Sequence, residues 1–281
     1  MCVLGHDYGA AMVDKLVARL VVRPGSNFSY KRRDPGDTLG LEKEAAKAEL
    51  AEVVGRIDVL QQRLFAEGKR ALLVVLQALD AAGKDGVVRN VFGPLNSAGV
   101  TVSGFKAPAG REQEQDYLWR LHAVAPNRGH IAVWNRSHYE DVLVVRVKNL
   151  VPKERWEKRY RHIREFERML DDEGTRIVKI NLHISPEEQR ARLQDRIDDP
   201  TKRWKFRAGD LDDRKLWPDF IKAYEVALCE TSTDDAPWYV VPAERKWVRN
   251  LAVARILLQR LEEMDPQLPP DEPGIADIVV E

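Results

Sequence analysis

Three groups of residues have the types and spacing to handle phosphate. The first is Gln77-Ala78-Leu79-Asp80-Ala81-Ala82-Gly83-Lys84-Asp85-Gly86. A tight loop that ends in Gly-Lys and opens a helix aims backbone N–H groups and the positive helix end at phosphate oxygens, and the lysine adds a point charge. The template for such a cradle is G-x-x-x-x-G-K-[ST]. Gly83 and Lys84 match it, but Ala78 replaces the first glycine and Asp85 stands where a hydroxyl normally meets magnesium. Asp80, inside the loop, would repel phosphate unless a divalent cation lay between them. It is therefore a candidate ligand in place of the missing hydroxyl. On the loop alone, a plain strand–helix turn with an exposed Lys84 is the competing reading.

The second group is Asn135-Arg136-Ser137-His138-Tyr139-Glu140-Asp141. Arg136 can neutralise phosphate charge, while Glu140 or Asp141 can bind a metal or an acceptor. The alternative is that both acids cap a following helix. His138 is isolated, so a hydrogen-bonded structural role is expected; the six histidines include no HExxH or His/Cys pairing, and a zinc centre is not supported. The third group runs from Arg190, Arg192 and Arg196 to Lys202, Lys205 and Arg207, with Trp204 and Phe206 between the cations. A charge run of this kind is usually a solvated face. It also suits a mobile lid that closes over a polyanion and excludes water, or a single-stranded nucleic-acid surface.

These groups need elements to position them. Ala71-Leu72-Leu73-Val74-Val75-Leu76 is a continuous apolar run, as a strand buried on both faces requires. Residues 100–105, 131–134, 176–184 and 238–241 read as four further strands. Helices are expected over 40–64, 111–125, 151–174, 186–197, 216–229 and 247–264, with another starting after the Gly-Lys loop. Ser185 as N-cap and Pro186 at the first helical position mark one start. Strands alternating with helices imply an α/β fold with a mainly parallel, five-stranded sheet covered on both faces. In such sheets ligands bind at the carboxyl ends of strands. That places the Gly-Lys loop and the 135–141 turn side by side if their strands are neighbours.

Composition narrows the function classes. The chain has 281 residues, 44% hydrophobic and 32% charged, enough for a sizeable core. Forty-five basic and forty-five acidic residues give a net charge of zero, so there is no global attraction to nucleic acid or membranes. A polyanion would have to be held locally. Cys2 and Cys229 cannot build a disulfide framework. No stretch approaches the ~20 apolar residues of a membrane span, and Asp14, Lys15 and Arg19 interrupt the run from Ala10 to Val22 that a signal peptide would need. That run reads as a short surface helix or an extended leader, with Met12 as a candidate alternative start. The expected location is cytoplasmic.

The loop from Leu76 to Gly86 resembles the Walker A segment of the polyphosphate kinase 2 family. Phe105-Lys106-Ala107-Pro108 resembles that family's next block, and Asn135 through Val147 its Walker B block. Trp204-Lys205-Phe206 with Gly209-Asp210-Leu211 is similar to its lid, and Ala236 through Pro242 with Arg245-Lys246-Trp247 to its C-terminal block. The similarity runs in order from about Pro24 to about Met264; residues 1 to about 23 lie outside it.

The resemblance implies a three-layer P-loop kinase-like fold. Its expected organisation is a peripheral segment over 1–40, a phosphotransferase domain over 41–265 with a lid at about 196–215, and a loose tail over 266–281. It also implies Mg2+-dependent (or Mn2+-dependent) reversible phosphoryl transfer between inorganic polyphosphate and nucleoside mono- or diphosphates, guanine nucleotides among them, in a dimer or tetramer. No nucleic acid or membrane partner is expected. Many members carry Asp where this chain has Asn135; the asparagine is similar to the subgroup that accepts both mono- and diphosphates. Removing one negative charge eases the approach of an anionic acceptor.

On this reading Lys84 and the N–H groups of Ala82, Gly83 and Asp85 hold the transferring phosphoryl group. Asp80 positions the metal, with Glu140 as a second ligand or acceptor-positioning group. Lys106, Arg136 and Arg196 neutralise phosphates, and Lys202, Lys205 and Arg207 hold the polyphosphate chain. Two rival readings share the loop: an ATP-dependent nucleotide or nucleoside kinase, and a non-catalytic polyanion-binding protein.

Overall fold

The computed structural model describes residues 14–280. Its strands are β1 (Val21–Val22), β2 (Ala71–Gln77), β3 (Val100–Gly104), β4 (Ile131–Asn135), β5 (Thr175–His183) and β6 (Trp238–Pro242), in the sheet order β1-β6-β5-β2-β4-β3. β2 lies at the middle and is buried at every residue, as its apolar run requires. It pairs in parallel with β4 on one side and β5 on the other. The five expected strands are all present. The expected count of five is corrected to six by β1, which pairs antiparallel to β6 through Val21↔Tyr239 and Val22↔Trp238. Two residues carry no periodicity, so such a strand leaves no pattern to read.

The helices are α1 (Lys15–Leu20), α2 (Lys43–Glu67), α3 (Lys84–Val87), α4 (Trp119–His122), α5 (Val144–Val147), α6 (Lys153–Asp172), α7 (Pro186–Asp198), α8 (Gly209–Lys215), α9 (Trp217–Thr231) and α10 (Lys246–Met264). The two-residue period of β2 divides the core. Leu72, Val74 and Leu76 face a layer built from α1, α2 and α10, with Ile57, Leu64 and Leu251 fully buried there. Leu73 and Val75 face the opposite layer of α6 and α9, among Ile163, Ala223 and Leu228. Two apolar faces on one sheet explain why β2 reads as a continuous run rather than an alternation.

Three expectations shift. The helix expected over 111–125 is replaced by a 3-10 turn over Gly110–Gln113 and the single turn α4. Local side chains compete for its backbone: Asp116 Oδ1 accepts from Leu118 N at 2.8 Å and Glu112 Oε2 from Ala109 N at 3.3 Å. The helix expected after the Gly-Lys loop is short; α3 runs into a π-turn over Val88–Phe92, capped by Gly93 and followed by Pro94. Finally, the segment expected to be peripheral supplies Leu16, Val17, Leu20 and Leu39 to the core. Residues 267–280 are exposed and hold only a 3-10 turn at Ile275–Asp277. Cys2, Met12 and the start of the run from Ala10 lie outside the described residues.

Candidate active site

Sheet register brings the first two groups together. Leu76 of β2 stands opposite Asn135 of β4, so the loop leaving β2 and the turn leaving β4 emerge side by side. Arg136 N donates to Leu76 O at 3.0 Å and ties the turn to the loop. Both segments bend through the left-handed region, at Ala81 (φ 64°), Gly83 (φ 107°) and Arg136 (φ 66°). For Ala81 and Arg136 this conformation is costly, and such strain concentrates where surrounding structure imposes it at functional sites.

The loop's charged groups converge. Arg136 Nη2 donates to Asp80 Oδ1 at 2.6 Å, and Lys84 Nζ donates to Ala78 O at 2.8 Å with the lysine 8% exposed. Asn135 Nδ2 donates to Asp85 Oδ1 at 2.9 Å. With its amide oriented to satisfy both ends, Gln77 donates to Glu140 Oε1 at 3.0 Å and accepts from Ser137 Oγ at 3.1 Å. Of the loop N–H groups assigned to phosphate, Ala82 N already donates to Leu79 O at 3.3 Å.

Burial and neighbouring charge pull these groups apart in acidity. Burial pushes the Asp80 carboxyl up, but Lys84, Arg136 and Arg196 outweigh it and hold it below the ordinary carboxylate value. Burial pushes Glu140 up, and there Arg136 and Lys84 only partly offset it. Burial pulls the Lys84 ammonium down against the opposing pull of Asp80, Glu140 and Asp85. One carboxylate held ionised beside another raised towards protonation, with a desolvated lysine between them, is a charge arrangement typical of functional sites.

A cavity of about 290 Å³ opens beside them; Asp80, Lys106, Arg136, Glu140 and Arg207 line it together with the apolar Phe105, Val144 and Phe220. Its charged lining residues suit phosphate and its apolar ones a flat ring system. Arg196 acts on Asp80 electrostatically and lies 3.8 Å from Asp210. Lys202 is held by its own neighbours, Asp195 at 3.0 Å and Asp199 at 2.9 Å. Lys205 lies over the exposed Trp204 ring at 5.0 Å. Neither of these two lysines lines the cavity. Asp141 lines the same cavity and pairs with Arg159 at 3.0 Å. His138 is fully buried, its Nε2 3.2 Å from Glu167 Oε1, the structural role expected of it.

Several further residues shape the site, of which only Arg192 belongs to a group read from the sequence, the basic run. Gln189 Nε2 donates to Asp80 O at 3.0 Å. Arg192 donates to Ala81 O, Ala82 O, Ala243 O and Glu244 O at 2.7–3.1 Å, joining the loop to the turn before α10. Beneath the loop lies Arg249 of α10, 2% exposed. Under the 135–141 turn, Lys179 Nζ donates to Glu167 Oε2 at 2.6 Å and to Thr231 O at 2.6 Å, and Tyr139 OH donates to Glu167 Oε1 at 2.8 Å. A lysine inside an apolar strand pattern, facing the α6 layer, was the one available sequence hint of that network.

The family description "Polyphosphate kinase 2" matches residues 40–269. An AMP/ADP-polyphosphate phosphotransferase of Meiothermus ruber is 55% identical over 262 residues, covering 92% of this chain and 98% of that protein. An ADP-polyphosphate phosphotransferase of Rhodopseudomonas palustris is 46% identical over 233 residues, 79% of this chain and 81% of that protein. Among solved structures, a polyphosphate kinase 2 from Arthrobacter aurescens superimposes with a TM-score of 0.88 at 43% identity, covering 91% of this chain and 92% of that one.

Proposed function

The chain belongs to the polyphosphate kinase 2 family, and on that footing we propose that it transfers phosphoryl groups reversibly between inorganic polyphosphate and nucleotides, with AMP and ADP as acceptors. The observation that carries this reading is the meeting of Asp80, Arg136 and Glu140 on the wall of one cavity at the ends of two adjacent parallel strands, with the buried Lys84 electrostatically coupled to all three just behind that wall. Phosphoryl transfer needs alignment and charge neutralisation more than covalent chemistry, so such a cluster suffices without a nucleophilic side chain. The named substrates of the Meiothermus ruber and Rhodopseudomonas palustris relatives support the acceptor assignment.

In this proposal Lys84, Gly83 and Asp85 hold the transferring group through the ammonium and backbone N–H groups. Ala82 joins them only if its bond to Leu79 O is exchanged for one to phosphate. Arg136, Lys106, Arg196 and Arg207 neutralise the remaining oxygens, and Lys202 and Lys205 belong to the polyphosphate path only if they leave their present partners. The apolar lining residues, Phe105, Val144 and Phe220 among them, take the nucleoside. Asp80 and Glu140 are the candidate Mg2+ (or Mn2+) ligands. Among the described residues there is no group of three or more His, Cys, Asp or Glu fit to hold a metal. Two carboxylates suit a Mg2+ that completes its shell with substrate oxygens and water. Bound there, the ion would supply charge neutralisation across the bridging phosphates. The same proposal extends to a cytoplasmic enzyme acting as a dimer or tetramer.

The test is product chromatography with long-chain polyphosphate, Mg2+ and a panel of AMP, ADP, GMP and GDP. Conversion of AMP to ADP and of ADP to ATP is expected, lost on chelation with EDTA and restored by Mg2+ or Mn2+. Turnover that survives chelation would remove the metal assignment. Turnover of none of the four nucleotides would remove the function.

A further inference from the structure

Two guanidinium groups lie against the Gly-Lys loop, and they differ in one respect. Arg192 is neutralised: its Nε donates to Glu188 Oε1 at 2.7 Å, its Nη1 reaches the loop carbonyls of Ala81 and Ala82, and its Nη2 reaches Ala243 O and Glu244 O. Arg249 is not. Its Nε and Nη2 donate to Asn250 Oδ1 at 3.0 and 2.8 Å, a neutral partner, and no carboxylate of the described residues pairs with it. It is 2% exposed. Burial, with the nearby charge of Arg192, lowers it to about 10, so it is still a cation at neutral pH.

Its place is specific. A Cβ on Gly83 would collide with Arg249 Nη1, and one on Gly86 would lie 2.7 Å from Nη2 and 3.3 Å from Cζ. The guanidinium thus fills the space that the two glycines leave open, directly behind the loop that carries Lys84. A buried cation without a counter-ion destabilises a protein, and replacing it with an apolar group of similar size is often neutral or stabilising. Arg192 already supplies carbonyl bonds that fix the loop. What Arg249 adds is uncompensated positive charge at the loop's back, and an anion bound in the cradle would be its counter-ion.

We propose that Arg249 is a positioning residue for phosphoryl transfer, which sets the shape of the Gly83–Gly86 backbone and gives the loop a standing positive charge that condensed phosphate completes. The proposal deepens the reading of the site as a polyphosphate–nucleotide phosphotransferase and rests on it for its kinetic readout only. Its binding readout is independent of turnover.

The experiment compares wild type with Arg249→Met, Arg249→Gln and Arg249→Lys by thermal unfolding, with and without tripolyphosphate at fixed Mg2+, and by steady-state kinetics. Wild-type Tm should rise with tripolyphosphate by mass action. Arg249→Met should unfold at or above the wild-type temperature without the anion, yet lose most of the anion-dependent rise. Its kcat/KM for polyphosphate should fall about 10²-fold, with a smaller change in the KM for ADP. Arg249→Lys should recover most of the anion-dependent rise. Arg249→Gln, which keeps a side-chain hydrogen-bonding group, gives the same comparison if the methionine variant does not fold.

An Arg249→Met or Arg249→Gln variant that keeps the full anion-dependent rise overturns the proposal, as does a wild type that gains nothing from tripolyphosphate. Absence of polyphosphate-dependent turnover in the wild type, with the anion-dependent rise intact and lost in the methionine variant, would remove the enzymatic reading while leaving the charge assignment standing.

Discussion

Lys84 carries the greatest weight at the scale of single residues. Its ammonium is buried, bonded to a loop carbonyl, and surrounded by Asp80, Glu140 and Asp85. In the proposed mechanism, replacing Lys84 with Ala removes the charge that offsets the phosphoryl group, and turnover should fall by at least about 10²–10³-fold. Circular dichroism and Tm should stay near wild type, since the lysine's side-chain hydrogen bond, to Ala78 O, is within the loop itself; wild-type-like turnover would contradict the assignment. Asn135 allows a subtler test. Its amide donates to Asp85 at 2.9 Å, so Asn135→Asp sets two carboxylates against each other and adds a negative charge near the acceptor. The specificity constant for ADP should fall relative to that for AMP by about fivefold, the effect of ~1 kcal/mol between charges in watery surroundings. Parallel kinetics with the two acceptors read it directly.

The elements explain why these residues meet and why some were hidden. The loop at 77–86 and the turn at 135–141 were legible because each follows a buried strand and carries chemistry no core needs. Their adjacency follows from β2 pairing with β4, which pattern alone does not fix. Arg192 belongs to the basic run read from the sequence as a lid or a solvated face, and Arg249 carries no such signal; each sits in an amphipathic helix where a cation ordinarily faces solvent, and only the fold turns them under the loop. Lys179 was likewise hidden in β5. With Glu167 it forms a buried pair, 0% and 2% exposed, beneath His138 and Tyr139.

Burial pushes Glu167 up, but Lys179 and His138 more than offset it and hold the carboxyl below its ordinary 4.5. A depressed carboxyl contributes stability that is full above its ordinary value and is lost as pH falls through the lower, folded value. Glu167→Gln should cost about 3–5 kcal/mol at neutral pH by leaving Lys179 unpaired, measured by denaturant titration. Its stability should also fall less steeply than wild type's as the pH drops below 4.5. Equal acid slopes would place the acid sensitivity elsewhere.

For the whole molecule, zero net charge coexists with a locally cationic cleft. Steering of polyanions must then be local, and it should weaken with ionic strength as exposed charges are screened. The KM for polyphosphate should rise several-fold between 50 and 500 mM salt, while the Tm changes little. A KM insensitive to salt would show that the exposed Lys106 and Arg207 contribute nothing to donor binding. Among the described residues no helix is long and apolar enough to cross a membrane. The sheet's two covered faces come directly from the apolar runs; the short β1 edge and the helix missing from 111–125 do not, because there tertiary pairing and side-chain capping override local preference.

In the proposed mechanism one cleft serves both a nucleotide and a polymer of phosphate, with Lys84 holding the transferring group. The most direct measurement is ATP formation from ADP and long-chain polyphosphate in the absence of any added ATP, run side by side with wild type and Lys84→Ala. ATP accumulating in proportion to polyphosphate consumed, and only with wild type, is the predicted result. Nucleotide phosphorylation that proceeds with ATP as donor but never with polyphosphate would contradict it.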